Sequence, residues 1–362
     1  MRGVTFVGPL PPPLNGFSNV CAMMLARMKT RMPVDVFDRA PNQRKAKLGN
    51  LKQLIYPAKY LLTSIKRRNA VLYLALSGGR GQLIDLVYVV ISKILRRRVY
   101  IHHHSFVYIN SPSWLNRCFF ALTRNETHIV LSANMGARLA GTYGLHPQSL
   151  RVVSNAAFYE PEAAVCEPAD DSSPLHLGFL SNITLDKGIV EFFEILKALK
   201  QRGVGYRAQI AGPVAQDARA VFEKLLLASS DTDYLGPVYG DAKENFYSRL
   251  DVFLFPTKYA NEAEPLVVYE AMRRGAFVIA CDRGAIAEML GNGAGLALTR
   301  EQIVAGAIAK IERFNAERGE LRSAQRMAKQ QAQRIQSSGR LELENLMASM
   351  QRDGSKPQGI NT

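Results

Sequence analysis

The sequence predicts an α/β protein with two doubly wound domains, and three observations support that fold class. The chain has 362 residues, a length that corresponds to about two domains. In both halves, apolar strand-like segments alternate with helix-like segments, which is typical of parallel sheets covered by helices on both faces. Between the halves, residues 159–174 are acidic, contain proline and lack periodicity, so they are predicted to form a linker.

The predicted domain boundaries follow this pattern. Residues 1–160 form the first domain, 161–174 the linker, 175–320 the second domain, and 321–362 C-terminal helices with a frayed tail. In the first domain, strands are predicted at residues 4–7, 71–76, 99–102, 128–131 and 152–155, and helices at 19–28 and 83–95. In the second domain, strands are predicted at 175–180, 208–210, 252–255 and 277–280, and a helix-rich stretch follows from 301 to about 350.

The composition points to a globular protein of a reducing compartment. The apolar run at residues 83–95 is shorter than the roughly 18 residues that cross a bilayer, and it carries Asp85 and Lys93. It therefore predicts a buried helix. The N-terminal residues lack the apolar core of a signal peptide. The four cysteines are far apart and form no Cys-x-x-Cys pair, which argues against zinc and disulfides. We expect a cytoplasmic protein.

The positive charge is concentrated in the first half. The net charge is +15, and residues 1–170 hold 22 Lys and Arg against 8 Asp and Glu. Residues 39–84 contain ten Lys and Arg and no acid. Within them, residues 39–68 form a basic amphipathic stretch, which favours docking on the anionic inner face of the cell membrane. The alternative is a core-facing helix with a solvated basic face. Nucleic acid is not expected as a partner, because no known binding module is present.

Two glutamates stand eight positions apart beside a buried strand. The strand, residues 252–255, ends at a proline, and Glu262 lies in the polar loop that follows. Pro265 and Leu266 open a short helix that contains Glu270. This loop and the first helical turn can offer free backbone N–H groups to an anion. Carboxylates and free N–H groups together suit a nucleotide-sugar, whereas a salt-bridged surface pair is the structural alternative.

This segment resembles the Glu-x7-Glu signature of the retaining glycosyltransferases of family 4. The resemblance implies a GT-B fold, in which two Rossmann-like domains face a central cleft. It also implies that Glu262 contacts the hydroxyls of the donor sugar and that Glu270 contacts the ribose of the nucleotide. Enzymes of this fold generally work without a metal or cofactor, and the nucleoside-diphosphate sugar is their donor substrate.

Two more segments of the second half resemble this family. In the loop after residues 175–180, Lys187 is implied to clamp the donor diphosphate. Ser181 or Asn182 occupies the place where family members commonly carry an arginine. Arg283, or the serine hydroxyl and backbone donors, could replace the missing cation. Gly236 lies in a segment that resembles the loop touching the nucleobase.

The loop after the first strand is the corresponding candidate site segment in the first domain. In the family, a glycine-rich loop here lets the backbone approach the donor phosphate or the acceptor. Only Gly16 remains of the usual glycine pair, and Asn15 replaces its neighbour; asparagine tolerates a positive φ. The alternative is an ordinary proline-rich turn between strand and helix.

Three adjacent histidines end a buried strand of the first half. Alternation puts His102 and His104 on one face of the strand and His103 on the other. Adjacent histidines can bind a metal, but no Asp, Glu or Cys stands near them in sequence. The resemblance implies that a histidine here reaches the donor sugar, and we assign this role to His104, with His103 as the alternative. The alternative is that these histidines lie in the core and form hydrogen bonds with the backbone.

These features together predict a retaining glycosyltransferase. It would move a hexose or N-acetylhexosamine from a nucleoside-diphosphate sugar to a saccharide or lipid-linked saccharide in cell-surface polysaccharide synthesis. Another GT-B enzyme, such as a sugar-nucleotide epimerase, is one alternative. A catalytically silent GT-B scaffold that binds a membrane or a partner is the other.

Overall fold

The computed structural model describes residues 3–40, 55–64, 71–161, 173–291 and 293–355. The chain divides into two compact units. The first unit comprises Met1–Tyr159 and Ser337–Thr362, and the second comprises Glu160–Gln336. None of the described helices combines the length and apolar character that crossing a membrane requires.

The described part of the first unit contains a parallel six-stranded sheet in the order β2-β1-β3-β4-β5-β6. Its strands are β1 (Val4–Gly8), β2 (Val34–Asp38), β3 (Val71–Ala75), β4 (Arg98–His102), β5 (Thr127–Val130) and β6 (Leu150–Val152). Its helices are α1 (Gly16–Lys29), α2 (55–64), α3 (Gln82–Ile94), α4 (Val107–Asn110), α5 (Trp114–Thr123) and α6 (Ala133–Tyr143).

The second unit repeats this architecture with the order β12-β11-β10-β7-β8-β9. Its strands are β7 (Leu175–Leu180), β8 (Tyr206–Ala211), β9 (Thr232–Tyr234), β10 (Val252–Phe255), β11 (Phe277–Cys281) and β12 (Gly295–Leu298). Its helices are α7 (Ile189–Gln201), α8 (Arg219–Leu227), α9 (Gly240–Ser248), α10 (Leu266–Arg274), α11 (Ile286–Leu290), α12 (Ile303–Ala316) and the first part of α13 (Arg318–Ser355).

The central strands are continuous apolar runs because helices cover both faces of each sheet. Every residue of β1, β3, β10 and β11 is buried. The predicted face of α12 is buried as well, since Ile303, Ala307, Ile311 and Phe314 all lie in the core of the second unit. The prediction of alternating strands and helices is confirmed in both units.

The strand orders locate the places where a ligand is expected. In an open parallel sheet, ligands bind beyond the carboxyl ends of the strands, where the strand order reverses. In the second sheet this switch point lies between β7 and β10, which pair in parallel. In the first sheet it lies between β1 and β3. The segments that follow three of these strands, β1, β7 and β10, carry most of the predicted site residues.

Several element predictions need correction. Strands β2, β9 and β12 were not predicted, because they are short and only partly buried edge or near-edge strands without a strong apolar run. The final strand of the first sheet is Leu150–Val152, and residues 155–158 form a 3-10 helix where a strand was predicted to end. Helix α3 is confirmed, but its predicted burial is wrong along one face.

Some predicted features lie outside the described residues. They are residues 41–54 and 65–68 of the basic stretch, residues 162–172 of the linker and residues 356–362 of the tail. The long helix α13 is shared between the units: its residues up to Gln336 belong to the second unit, and those from Ser337 onward belong to the first.

Candidate active site

A lysine and a glutamate meet at the switch point of the second sheet. Lys187 follows β7, Glu262 follows β10, and the Lys187 ammonium lies 2.5 Å from Glu262 Oε2. The Thr257 hydroxyl donates a second, longer bond of 3.3 Å to the same oxygen. Lys187 also lies over the rings of Phe255 and Tyr259, at 5.6 and 5.0 Å from their centroids. The structure thus brings together two residues that lie 75 positions apart in the sequence.

Close backbone approach holds these two loops together. Gly188 has φ +86°, and a Cβ there would lie 2.0 Å from the Pro256 carbonyl oxygen. On the other side, Gly284 has φ +58°, and its Cβ would lie 2.2 Å from the Glu262 carbonyl oxygen. Only glycine fits such positions, because both the φ angle and the space exclude a side chain. The Glu262 loop is therefore clamped between the Lys187 turn and the segment after β11.

Backbone hydrogen bonds reinforce this arrangement. The Lys258 N–H donates to the Asp186 carbonyl at 2.7 Å, and the Ala285 N–H donates to the Ala263 carbonyl at 2.7 Å. These two bonds hold the backbone in place on both sides of Glu262.

The second glutamate lies on α10 with partners of its own. Glu270 is only 4% exposed, and its Oε1 accepts a bond of 2.6 Å from Lys243. Its Oε2 accepts a bond of 3.1 Å from the Tyr247 hydroxyl. The helix begins as predicted, with Pro265 as its N-cap, which makes no side-chain cap bond. Leu266 and the residue after it therefore have no intrahelical acceptor for their N–H groups.

Lys243 and Tyr247 are the residues that sequence reasoning missed. They stand one turn apart on α9, so their side chains share a face of that helix. A lysine four positions before a tyrosine is a common pattern, and the sequence alone gives no reason to place it beside Glu270. The contact becomes visible only when α9 packs against α10.

The remaining predicted residues of the second unit are placed as follows. The Ser181 hydroxyl donates to the Asn182 carbonyl at 3.1 Å, and the Asn182 side chain is exposed. Gly236 has φ +72°, and its carbonyl accepts a bond of 2.9 Å from the Gly212 N–H. The Nε of Arg283 is buried and has no hydrogen-bond partner among the described residues.

The histidines of the first unit form a buried chain. His103 Nδ1 bonds the Tyr108 hydroxyl at 2.8 Å, and its Nε2 bonds His128 Nδ1 at 3.0 Å. His128 Nε2 lies 3.0 Å from the Thr123 carbonyl. Burial lowers the pKa of His103 well below its usual value and lowers that of His128 to about 4. His103 therefore belongs to the core of the first unit, which disfavours the alternative that it contacts the sugar.

His102 and His104 lie on the opposite face, as predicted. Their rings are 4.0 Å apart between centroids, and His102 Nδ1 bonds the Tyr73 hydroxyl at 2.6 Å. The Nε2 atoms of both rings are buried and have no hydrogen-bond partner among the described residues. Desolvation lowers the pKa of His104 to about 3, so its imidazole is neutral near pH 7.

The first loop meets His104 through an aromatic ring. Phe17 follows Gly16 on α1, and its ring lies 4.7 Å from that of His104. Asn15 is the N-cap of α1, with φ −143° and a capping box with Ser18. The positive φ that asparagine tolerates is thus not used, because Asn15 acts as a cap. Gly16 has open space around its Cβ position.

The described residues contain no group of three or more His, Cys, Asp or Glu side chains arranged to hold a metal ion. The ring nitrogens of His103 and His128 are occupied by hydrogen bonds. The nitrogens left without partners, on His102 and His104, have no carboxylate beside them among the described contacts.

Comparisons with known proteins agree with this architecture. Residues 167–334 match the family model described as "Glycosyl transferases group 1", which covers nearly all of the second unit and just under half of the chain. No match to the sequence was found among curated proteins. The two sheets and the structural likenesses that follow identify the fold as GT-B.

Three solved structures illustrate the likeness. Anabaena Alr3699/HepE, in complex with UDP and glucose, has a TM-score of 0.70 at 17% identity and covers 96% of this chain and 100% of its own. A glycosyltransferase from Rickettsia africae ESF-5 has a TM-score of 0.75 at 12% identity and covers 98% and 99%. The lipopolysaccharide outer core galactosyltransferase WaaB has a TM-score of 0.68 at 14% identity and covers 97% and 100%.

Proposed function

We propose that this protein is a retaining glycosyltransferase that uses a nucleoside-diphosphate sugar. The observation that carries the proposal is the Lys187–Glu262 pair at the switch point of the second sheet, within the segment that matches the group 1 model. A cation and a carboxylate fixed on rigid loops are the groups that a diphosphate and a sugar hydroxyl require.

In the proposed reaction, the Lys187 ammonium stabilises the negative charge that develops on the departing diphosphate. Glu262 accepts hydrogen bonds from the donor sugar, and Glu270 accepts them from the ribose. Neutral His104 is proposed to donate a hydrogen bond to the sugar through its buried Nε2. Leu266 and the following residue offer backbone N–H groups to the phosphates.

The acceptor hydroxyl then attacks the anomeric carbon from the face that the diphosphate leaves. The bond between carbon and phosphate oxygen breaks, the new glycosidic bond keeps the configuration, and the hydroxyl proton leaves with the diphosphate. We propose that no metal takes part, so chelators should leave turnover unchanged.

The likeness to known structures supports the choice of substrates. HepE was crystallised with UDP and glucose, and WaaB is described as a lipopolysaccharide galactosyltransferase. By analogy, we propose a hexose or N-acetylhexosamine donor and a saccharide or lipid-linked saccharide acceptor, in the synthesis of a cell-surface polysaccharide on the cytoplasmic side of the membrane.

A second candidate is a silent GT-B scaffold, and one observation favours it. The positions after β7 hold Ser181 and Asn182, where the family resemblance implies an arginine. The Ser181 hydroxyl is engaged by a neighbouring carbonyl, so it does not replace the missing charge. A scaffold would bind a nucleotide-sugar without transferring it.

The test combines donor screening with matched variants. A panel of nucleoside-diphosphate sugars is screened by thermal shift, since a ligand at 100 times its dissociation constant adds about 2.7 kcal/mol of stability. Turnover of the donor that binds is then measured with an acceptor pool, and the anomeric configuration of the product is read by NMR. Donor conversion without any acceptor would indicate an epimerase.

Glu262→Gln and Lys187→Met should each lower kcat by about 10²–10³-fold, as for loss of a transition-state contact. The control is Lys258→Met, because Lys258 makes a comparable pair with Glu191 at 2.6 Å in the same loop but has no proposed catalytic role. Wild-type turnover in both site variants would overturn the assignment. Binding without turnover in the wild type would favour the scaffold.

A further inference from the structure

Helix α3 exposes a row of apolar side chains. Leu83, Val87, Val90 and Ile94 are spaced by four, three and four residues, so they form one stripe along the helix. Their exposed fractions are 49%, 43%, 39% and 74%. Three turns of a solvent-facing helix surface therefore present aliphatic groups.

The opposite face of the same helix is buried and carries both apolar side chains, Tyr88 and Val89, and polar ones. Gln82, Asp85 and Ser92 are each 0% exposed. Asp85 pairs with Arg39, Gln82 accepts a hydrogen bond from Asn116, and Ser92 bonds Tyr60. A surface helix of a globular protein normally has apolar residues inside and polar residues outside, whereas α3 buries three polar side chains and exposes an apolar stripe.

The neighbouring helices also expose apolar side chains. Helix α2 is tied to α3 by the bond of 2.6 Å between the Tyr60 and Ser92 hydroxyls, and it exposes Ile55 and Leu62. Helix α5 is tied to α3 through Asn116, and it exposes Trp114. A tryptophan ring, apolar with one polar N–H, is frequent where proteins meet lipid headgroups.

The charge around the stripe is positive. Residues 39–125 contain a single acid, Asp85, and that carboxylate is buried. Basic side chains at both ends of α3 and on the flanking helices are exposed: Lys59, Arg80, Arg96, Arg98 and Arg117. Lys93 is exposed as well, but it is paired with Glu126 at 2.8 Å. This combination favours an anionic occupant, and it disfavours a second copy of the same basic face.

We propose that the apolar face of α3 docks on an anionic lipid bilayer. Leu83, Val87, Val90 and Ile94 would enter the boundary between headgroups and acyl chains, and the surrounding cations would bind lipid phosphates. This assigns the apolar membrane contact to α3, which lies outside the basic stretch 39–68, whereas the flanking helix α2 belongs to that stretch. The proposal goes beyond the proposed function and does not depend on turnover.

Vesicle co-sedimentation of the full chain tests this surface. Wild-type protein should bind vesicles of phosphatidylcholine with phosphatidylglycerol and should bind pure phosphatidylcholine vesicles weakly. The double variant Leu83→Glu with Ile94→Glu should lower the partition coefficient at least about tenfold, because it places charge in the lipid boundary. Leu227→Glu is the matched control, since Leu227 is 90% exposed on α8 of the second unit.

The other outcomes are equally informative. Unchanged binding by the double variant would overturn the proposal, since attachment would then come from other residues. Absence of wild-type binding to anionic vesicles would overturn it as well. Light scattering should show no self-association through this face; a wild-type dimer that the double variant converts to a monomer would show that a second copy covers it. Circular dichroism confirms that both variants fold.

Discussion

The two units share one architecture but place different chemistry at the same edge of their sheets. In the second unit, the switch point carries ionic side chains that are paired with each other, Lys187 with Glu262. In the first unit, the strand ends carry the neutral imidazoles of His102 and His104, which burial keeps uncharged. The comparison teaches that topology fixes where a ligand site can form, whereas the side chains after each strand decide what the site can bind.

The first and largest effect should come from the glycine clamp of the second unit. Gly188→Ala adds a Cβ at 2.0 Å from the Pro256 carbonyl in a left-handed residue. We expect a loss of about 3 kcal/mol or more in the free energy of unfolding, measured by denaturant titration. Gly203→Ala is the control, because Gly203 has φ +74° but open space. This variant should lose only about 1–2 kcal/mol of unfolding free energy, which is the cost of the positive φ alone. Equal losses in the two variants would contradict a steric role for the close approach of Gly188 to Pro256.

The buried histidines of the first unit should make the protein acid-sensitive. Their folded pKa values are lowered, to about 3 for His104 and about 4 for His128, whereas unfolded histidine titrates near 6.5. Between these values the unfolded chain binds protons that the folded chain does not. The contribution of these histidines to the free energy of unfolding is therefore complete above about pH 6.5. It is lost as the pH drops towards about 4, by up to about 1.4 kcal/mol per pH unit for each histidine.

Urea titrations across this pH range measure that slope. His128→Gln should make the slope shallower, even though it also lowers stability at neutral pH. His146→Gln should not change the slope, since His146 is exposed. A wild-type stability that stays constant down to pH 4.5 would contradict this account of the histidine chain.

A moderate effect is expected from the pair that holds Glu270. Lys243→Met removes the 2.6 Å contact, so Glu270 loses its orientation, and nucleoside diphosphates should bind about tenfold more weakly, or about 1.4 kcal/mol. If Lys243 positions the ribose contact, the variant should also lose its preference for a ribonucleotide over its 2′-deoxy analogue. Lys200→Met, which breaks an exposed pair with Asp231, serves as control. A retained preference would reduce Lys243 to a structural role.

The smallest effect concerns the start of α1. Asn15→Ala removes the capping box and should cost about 1 kcal/mol of stability. Gly16→Ala should be neutral or slightly stabilising, because its Cβ meets nothing within 4 Å and the change restricts the unfolded chain. Weaker donor binding by Gly16→Ala, at unchanged stability, would reveal the close phosphate approach that the family resemblance implies.

Local signals allowed the central strands and the β10–α10 segment to be predicted. A proline marks the start of α10 and a glycine marks its end. The apolar run of β10 predicts a buried strand. The edge strands β2 and β9 could not be predicted, because short strands with exposed residues lack a periodic signal. Nor could the pairing of Glu270 with Lys243, since it depends on how two helices pack.

Helix α3 shows a different limit of prediction. A run of apolar residues predicts burial when only composition is considered. In the structure, Asp85 and Ser92 face inward because Arg39 and Tyr60 satisfy them. Partners that come from distant parts of the chain decide which face of the helix is covered.

The division of α13 between the units has a consequence for biosynthesis. Tyr100, on a central strand of the first unit, bonds Ser349 at 2.9 Å and Asp353 at 2.8 Å. A ribosome therefore releases the first sheet long before the helix that covers its tyrosine has been made. The part of the N-terminal sheet that this helix covers therefore stays exposed until the whole second unit has been translated.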